Sequence, residues 1–152
     1  VPTTLGQIKE TTLERFYHKY PDARLKTDVN ENVTVLADQN YLSEALYNLL
    51  TNAWEANVAA GHDDRAIELL SHKERLYTVL EVRDEGGGMT KAEQKKIFEP
   101  FYSSKNSNTS WGMGLYHVRT IIRAHVGSLR VESKPGKGTS FFVLLPKYVQ
   151  DR

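Results

Sequence analysis

Glu44, Asn48, Asn52 and Glu55 fall at steps of 4, 4 and 3 residues within a stretch that otherwise repeats apolar residues at helical spacing. On a helix those steps place all four side chains on one face. A solvated face is the ordinary account of such a row. The asparagines fit that account poorly, because Asn competes with the helix backbone and favours caps and turns. Two carboxamides one turn apart suit a site that needs neutral oxygen ligands and amide donors. A second cluster is Asp84-Glu85-Gly86-Gly87-Gly88-Met89. Alternation along a strand puts Leu76, Thr78, Leu80, Val82 and Asp84 on one mostly apolar face, with Asp84 at its rim. A half-buried carboxylate there requires donors. The exocyclic amine of an adenine is one candidate, and an Asx turn into the glycines is another. Three successive glycines let another group approach the backbone closely. A third cluster, Trp111-Gly112-Met113-Gly114-Leu115, runs directly into a helix. Free N–H groups and the helix dipole favour an anion at such a start, although a G-x-G pattern also occurs in ordinary loops. Lys105, in the polar loop before it, could reach a terminal phosphate as a point charge. Gly136-Lys137-Gly138-Thr139 is explained by a hairpin turn alone.

The elements that must position these residues can be read from periodicity. Residues 3–20 read as a short helix. Leu25–Val29 and Val33–Ala37 read as two strands joined by a turn at Asn30–Asn32. Gln39–Ala60 is a long helix, with Leu42, Ala45, Leu46, Leu49, Leu50 and Ala53 at helical spacing and Gly61 able to end it. Ala66–Leu70 and Leu76–Asp84 read as strands. Thr90–Ile97 is a short helix whose Thr90 and Glu93 form a capping-box pattern. Phe101–Trp111 is a polar loop, Gly114–Ala124 a helix ended by Gly127, and Leu129–Ser133 with Ser140–Leu145 a final hairpin. Strands and helices do not alternate strictly. The expected fold class is therefore α+β: a two-layer sandwich, with a mixed sheet covered on one face by helices.

Composition narrows the functional classes. A chain of 152 residues is the size of one domain and needs no staple to fold. The net charge of +1 gives no field that would draw it to nucleic acid or a membrane. The absence of cysteine removes disulfides, thiolate metal sites and cysteine nucleophiles, and suits a reducing compartment. No apolar run approaches the roughly 20 residues of a membrane span. The chain opens on Val-Pro-Thr-Thr without an initiator Met and is expected to be a piece of a longer protein.

No single cluster decides the chemistry, but their order does. Asn-x-x-x-Asn-Ala on a helix is followed by Asp-x-Gly-x-Gly, Phe-Glu-Pro-Phe, Gly-x-Gly-Leu and Gly-x-Gly-Thr. That series, over about residues 25–146, resembles the GHKL ATPase superfamily. Phe98-Glu99-Pro100-Phe101 resembles the F box of its sensor histidine kinases. The resemblance implies the Bergerat fold and an ATP-dependent protein-histidine kinase domain using ATP and Mg²⁺. It implies roles for residues as well. Asn52 matches the Mg²⁺-ligating Asn of the N box, with Asn48 and Glu55 on the same face. Asp84 matches the adenine-reading Asp, followed by Gly86, Gly88 and Met89. Gly112, Met113, Gly114 and Leu115 match the G2 box under the phosphates, and Thr139 matches the G3 box near the adenine. Phe101 opens the ATP lid, in which Lys105 would contact phosphate. Asn48, Asn52 and Lys105 would then be the catalytic set.

Three positions depart from the usual pattern. Glu55 stands where many members carry a basic residue, and this Asn-Ala-x-Glu-Ala form resembles nitrogen-regulation-type kinases with short lids. Ser110 replaces the first glycine of the G2 box, and Trp111 is unusual beside it. Members that hydrolyse ATP, such as the gyrase, mismatch-repair and chaperone types, resemble one another in carrying Glu where this chain has Asn48. Asn cannot accept a proton. Anti-sigma-factor-type serine kinases of the same superfamily, usually with that Glu, and a non-catalytic binding module are the alternatives.

The resemblance implies that residues 1–24 lead from a missing dimerisation and phosphoacceptor segment into a catalytic domain over 25–150. It further implies a cytoplasmic domain, a homodimeric parent protein that can be membrane-anchored, and a response regulator downstream. Of the five histidines only His62 precedes an acidic residue, and it falls in a Gly-rich turn, so the acceptor is expected elsewhere. His117 reads as a helix residue packing near the lid. The Phe98–Tyr102 run is expected to be an exposed docking surface.

Overall fold

A computed structural model of the chain describes residues 1–100 and 114–149. In chain order the elements are β1 (Pro2–Thr4), α1 (Leu5–Lys19), β2 (Leu25–Asp28), β3 (Thr34–Leu36), α2 (Gln39–Ala59), β4 (Ile67–Lys73), β5 (Tyr77–Asp84), α3 (Lys91–Lys96), α4 (Gly114–Ala124), β6 (Ser128–Ser133) and β7 (Thr139–Pro146). Five strands form one sheet in the order β2-β4-β5-β7-β6. β2 runs parallel to β4, and the other neighbours are antiparallel. The sheet is therefore mixed, as its uneven alternation with helices requires. Helices α1, α2 and α4 pack together, and α2 and α4 reach the strands.

The core lies between these layers. The buried stripe of α2, including Leu42, Leu46, Leu49, Leu50 and Ala53, meets Leu80 and Val82 of β5 and Phe141 and Val143 of β7. Even positions of β5 face this core, as strand alternation demands, and Asp84 ends the row buried. Leu76 lies outside the strand and is exposed. Residues 1–24 share the same core: Leu5, Ile8 and Phe16 are fully buried. α1 spans 15 residues from a Thr4 capping box, with β1 before it.

Two expectations from the sequence are corrected. β2 and β3 do not pair with each other. β3 pairs with β1 in a separate two-stranded sheet, while β2 joins the edge of the main sheet beside β4. The turn at Asn30–Asn32 therefore redirects the chain between two sheets; its Asn30 Oδ1 accepts from Asn32 N at 3.2 Å. At the end of α4 the left-handed residue is Val126, at φ 60°, and not Gly127. Gly127 is needed for a different reason, since a Cβ there would lie 2.4 Å from the carbonyl oxygen of Leu144. By contrast Gly61 does end α2 in the left-handed region, at φ 76°, and Thr90 caps α3 with its reciprocal Glu93 bond.

Candidate functional site

Helix α2 supplies the first wall. Its N-cap Asp38 accepts from Tyr41 N at 3.0 Å. Its polar row, Glu44, Asn48, Asn52 and Glu55, is half-buried throughout, so it is not a freely solvated face. The two acidic ends of the row are engaged. Glu44 pairs with His117 of α4. Glu55 accepts from the Tyr20 hydroxyl at 2.6 Å. Burial, then this hydrogen bond to Glu55, pushes the Tyr20 phenol well above its usual range. Between them, the carboxamides of Asn48 and Asn52 have no hydrogen-bond partner among the described residues. Their neutral oxygens fit a hard cation that keeps several waters and leans on phosphate, which is how Mg²⁺ binds.

The loop after β5 supplies the second wall. Asp84 Oδ1 accepts from Gly86 N at 2.8 Å and from Thr139 N at 3.2 Å. The Asx turn is thus present, and the same oxygen also ties β5 to the start of β7. Two of the three glycines are sterically required. A Cβ at Gly86 would lie 2.7 Å from Ala56 Cβ on α2, and one at Gly88, at φ 71°, would lie 2.0 Å from Lys134 O. Gly87 has open space instead. Its carbonyl accepts from Gly136 N at 2.7 Å, which joins the Asp84 loop to the final hairpin. Thr139 Oγ1 shares a 2.7 Å hydrogen bond with Ser133 Oγ. Met89 packs half-buried against the core, and its N–H donates to Ser133 Oγ at 2.8 Å.

Helix α4 supplies the third wall. It begins at Gly114 and Leu115 and buries Val118, Ile121 and Ile122. His117 meets Glu44 and His125 meets Asp38, so α4 runs antiparallel along the first half of α2. The Asp84 loop touches the second half, at Ala56. The asparagine row lies between these two contacts. The whole expected lid, including Phe101, Lys105, Ser110 and Trp111, lies outside the described residues, as do Gly112 and Met113.

Several positioning residues were missed by sequence reasoning. Asn57 is fully buried. Its Oδ1 accepts from Glu85 N at 2.7 Å and its Nδ2 donates to Arg65 O at 3.1 Å. An Asn on the apolar stripe, four residues after Ala53, was the available signal. His62 Nδ1 donates to Glu85 O at 2.6 Å, which gives it a structural task at the same corner. Phe98 is corrected from exposed to half-buried: it packs edge-on against Phe141 at 6.4 Å, with Arg119 above its ring.

This arrangement matches a known family, described as histidine kinase-, DNA gyrase B- and HSP90-like ATPase, over residues 37–149. The chain belongs to that family. As a member of this ATPase family it is a nucleotide-using domain, and the relatives it resembles are histidine kinases. Sporulation kinase C of Bacillus subtilis is 37% identical over 109 residues, covering 72% of this chain and 24% of that protein. The signal transduction histidine-protein kinase AtoS of Escherichia coli is 38% identical over 117 residues, covering 77% of this chain and 18% of that protein. The chain thus spans about a quarter or less of these relatives. The catalytic domain of the histidine kinase ThkA superposes with a TM-score of 0.81 at 26% identity, covering 97% of this chain and 95% of that one. The mycobacterial sensor histidine kinase MprB shares the fold at the same TM-score, with 23% identity and 97% coverage of both chains. The serine-kinase and binding-module alternatives are not favoured by these relatives. No helix among the described residues is long and apolar enough to cross a membrane.

Proposed function

We propose that this ATPase-family domain binds Mg·ATP between α2, the Asp84 loop and the start of α4, and delivers the γ-phosphate to a histidine on a dimerisation helix outside these 152 residues. Asp84, oriented by two backbone N–H groups, accepts from the adenine amine. Thr139, Gly86, Gly88 and Met89 shape that end. Asn52, with Asn48 beside it and Glu55 at the end of the row, holds Mg²⁺, which when bound neutralises phosphate charge. Gly112, Met113, Gly114 and Leu115 lie under the phosphates, Lys105 from the lid contacts them, and Phe101 opens that lid over the nucleotide. Transfer then depends on position and charge neutralisation more than on covalent chemistry by the protein.

The observation that carries this reading is Asn48. It stands half-buried one turn from Asn52, on the row where a water-activating carboxylate would sit. An amide cannot take a proton from water, so the site favours holding ATP for an incoming histidine over hydrolysing it. The parent protein would be a homodimeric, cytoplasmically exposed kinase that passes the phosphate to a response regulator.

Transfer of radiolabelled γ-phosphate tests this. The chain, mixed with a separate fragment carrying an acceptor helix, is expected to give acid-labile, base-stable label on that fragment and none on itself. Acid-labile label on this chain alone would move the acceptor inside it. Acid-stable label on a partner serine would replace the reading with a serine kinase.

A further inference from the structure

We infer that Glu44 and His117 are a positioning pair that sets the start of α4 against the asparagine row of α2, and so tunes the terminal-phosphate end of the site. The inference rests on the nucleotide reading above. Among the described residues, helix α4 is anchored most firmly in its middle and at its end. Its middle is fixed by buried Val118, Ile121 and Ile122. Its end is fixed by His125, whose Nε2 accepts from Asp38 N at 3.0 Å while its Nδ1 donates to Ile121 O at 2.8 Å. The first turn, Gly114 to His117, is half-buried or exposed, with Leu115 resting on the core, and among the described residues its side-chain hydrogen bond to α2 is the one His117 makes to Glu44.

That location matters because the N–H groups of a first helical turn have no partners within the helix and aim at whatever anion lies ahead. A small swing of the turn about its packed middle changes that aim. Glu44 stands one turn before Asn48 on the same face. This contact therefore links the helix that carries the cation-binding carboxamides to the first turn of the helix that starts at the phosphates. Both side chains are partly exposed, at 37% for Glu44 and 44% for His117. Partly exposed polar contacts contribute little to fold stability, so removing this one leaves the domain folded and isolates its effect on ligand geometry.

Calorimetry on the 152-residue chain with Mg²⁺ decides the matter, using ADP and a non-hydrolysable ATP analogue. Glu44→Ala and His117→Ala should each weaken the analogue about tenfold, because small misplacements are costly where geometry matters. ADP, which lacks the terminal phosphate, should weaken by less than about threefold, since its adenine end is read by Asp84. The double variant should be no worse than either single one, because both remove the same link. Glu44→Gln can still accept from the imidazole and should stay within about threefold of the unaltered chain. Equal losses for both nucleotides, no loss for either, or additive losses in the double variant would overturn the inference. Failure of the unaltered chain to bind either nucleotide would instead overturn the nucleotide reading, and the inference with it.

Discussion

The structural bonds of Asp84 also set the direction that its proposed role at the adenine requires. Its Oδ1 organises the turn through Gly86 and the adjoining strand through Thr139, and those same bonds fix its direction. Asp84→Asn keeps the size but replaces an acceptor by a donor facing a purine amine. A site built around a hydrogen bond rejects such a mismatch strongly. The variant should lose at least about tenfold in ADP affinity while folded; unaltered affinity by calorimetry would remove Asp84 from the adenine role.

Glu81 offers an independent residue-scale test, away from the site. It lies 3% exposed, bound by His72 Nε2 at 2.7 Å and by Arg83 Nε at 3.1 Å. Burial alone would raise its pKa, but hydrogen bonds from His72, Ser140 and Arg83 together hold it below the usual glutamate range. A depressed carboxylate stabilises the fold above its unfolded pKa and loses that contribution as pH falls through the folded value. Glu81→Gln should therefore be destabilising at neutral pH, with a gap that narrows below about pH 4.3. Denaturant titrations at both ends of that range would show it, and a gap independent of pH would mean that the network does not act through charge. The motif residues were legible because helical and strand periods are fixed geometry. The tasks of Asn57, Tyr20 and Glu81 were not, because their partners are remote in sequence or on a neighbouring strand.

At the scale of elements, the successes and failures separate by the range of the interaction. The long helix, the α3 capping box and the final hairpin depend on neighbours within a few residues, and all three were readable. The pairing of β2 with β4 and of β3 with β1 joins segments far apart in sequence, and adjacency in sequence suggested the wrong partner. The end of α4 is a further case, because Gly127 drew attention from the strained residue before it. Val126 is β-branched, 80% exposed and held at φ 60°. The left-handed conformation costs an ordinary L-residue about 1–2 kcal/mol. Glycine's extra chain entropy costs about 0.5–1 kcal/mol. The difference favours glycine, so Val126→Gly should stabilise the domain by about 0.5–1 kcal/mol. Thermal unfolding would register this as a raised midpoint, and a lowered one would mean that the Val126 side chain contributes packing that its exposure conceals.

For the whole molecule, two walls from distant parts of the chain converge on one strip of the third, α2. The Asp84 loop meets its second half at Ala56, and α4 runs along its first half through Glu44 and Asp38. A nucleotide laid along that strip would have its base at the loop and its phosphates toward the start of α4, with Asn52 and Asn48 between. The most direct test is a calorimetric titration of the 152-residue chain with ATP and then GTP in the presence of Mg²⁺, followed by steady-state turnover. ATP should bind saturably at one site. GTP, which presents a carbonyl where ATP presents an amine, should bind at least about tenfold more weakly. Turnover without an acceptor should stay below about one per second, the low end of ordinary enzymes. A folded chain that ignores ATP, binds GTP equally well or hydrolyses ATP faster than that would contradict the assignment.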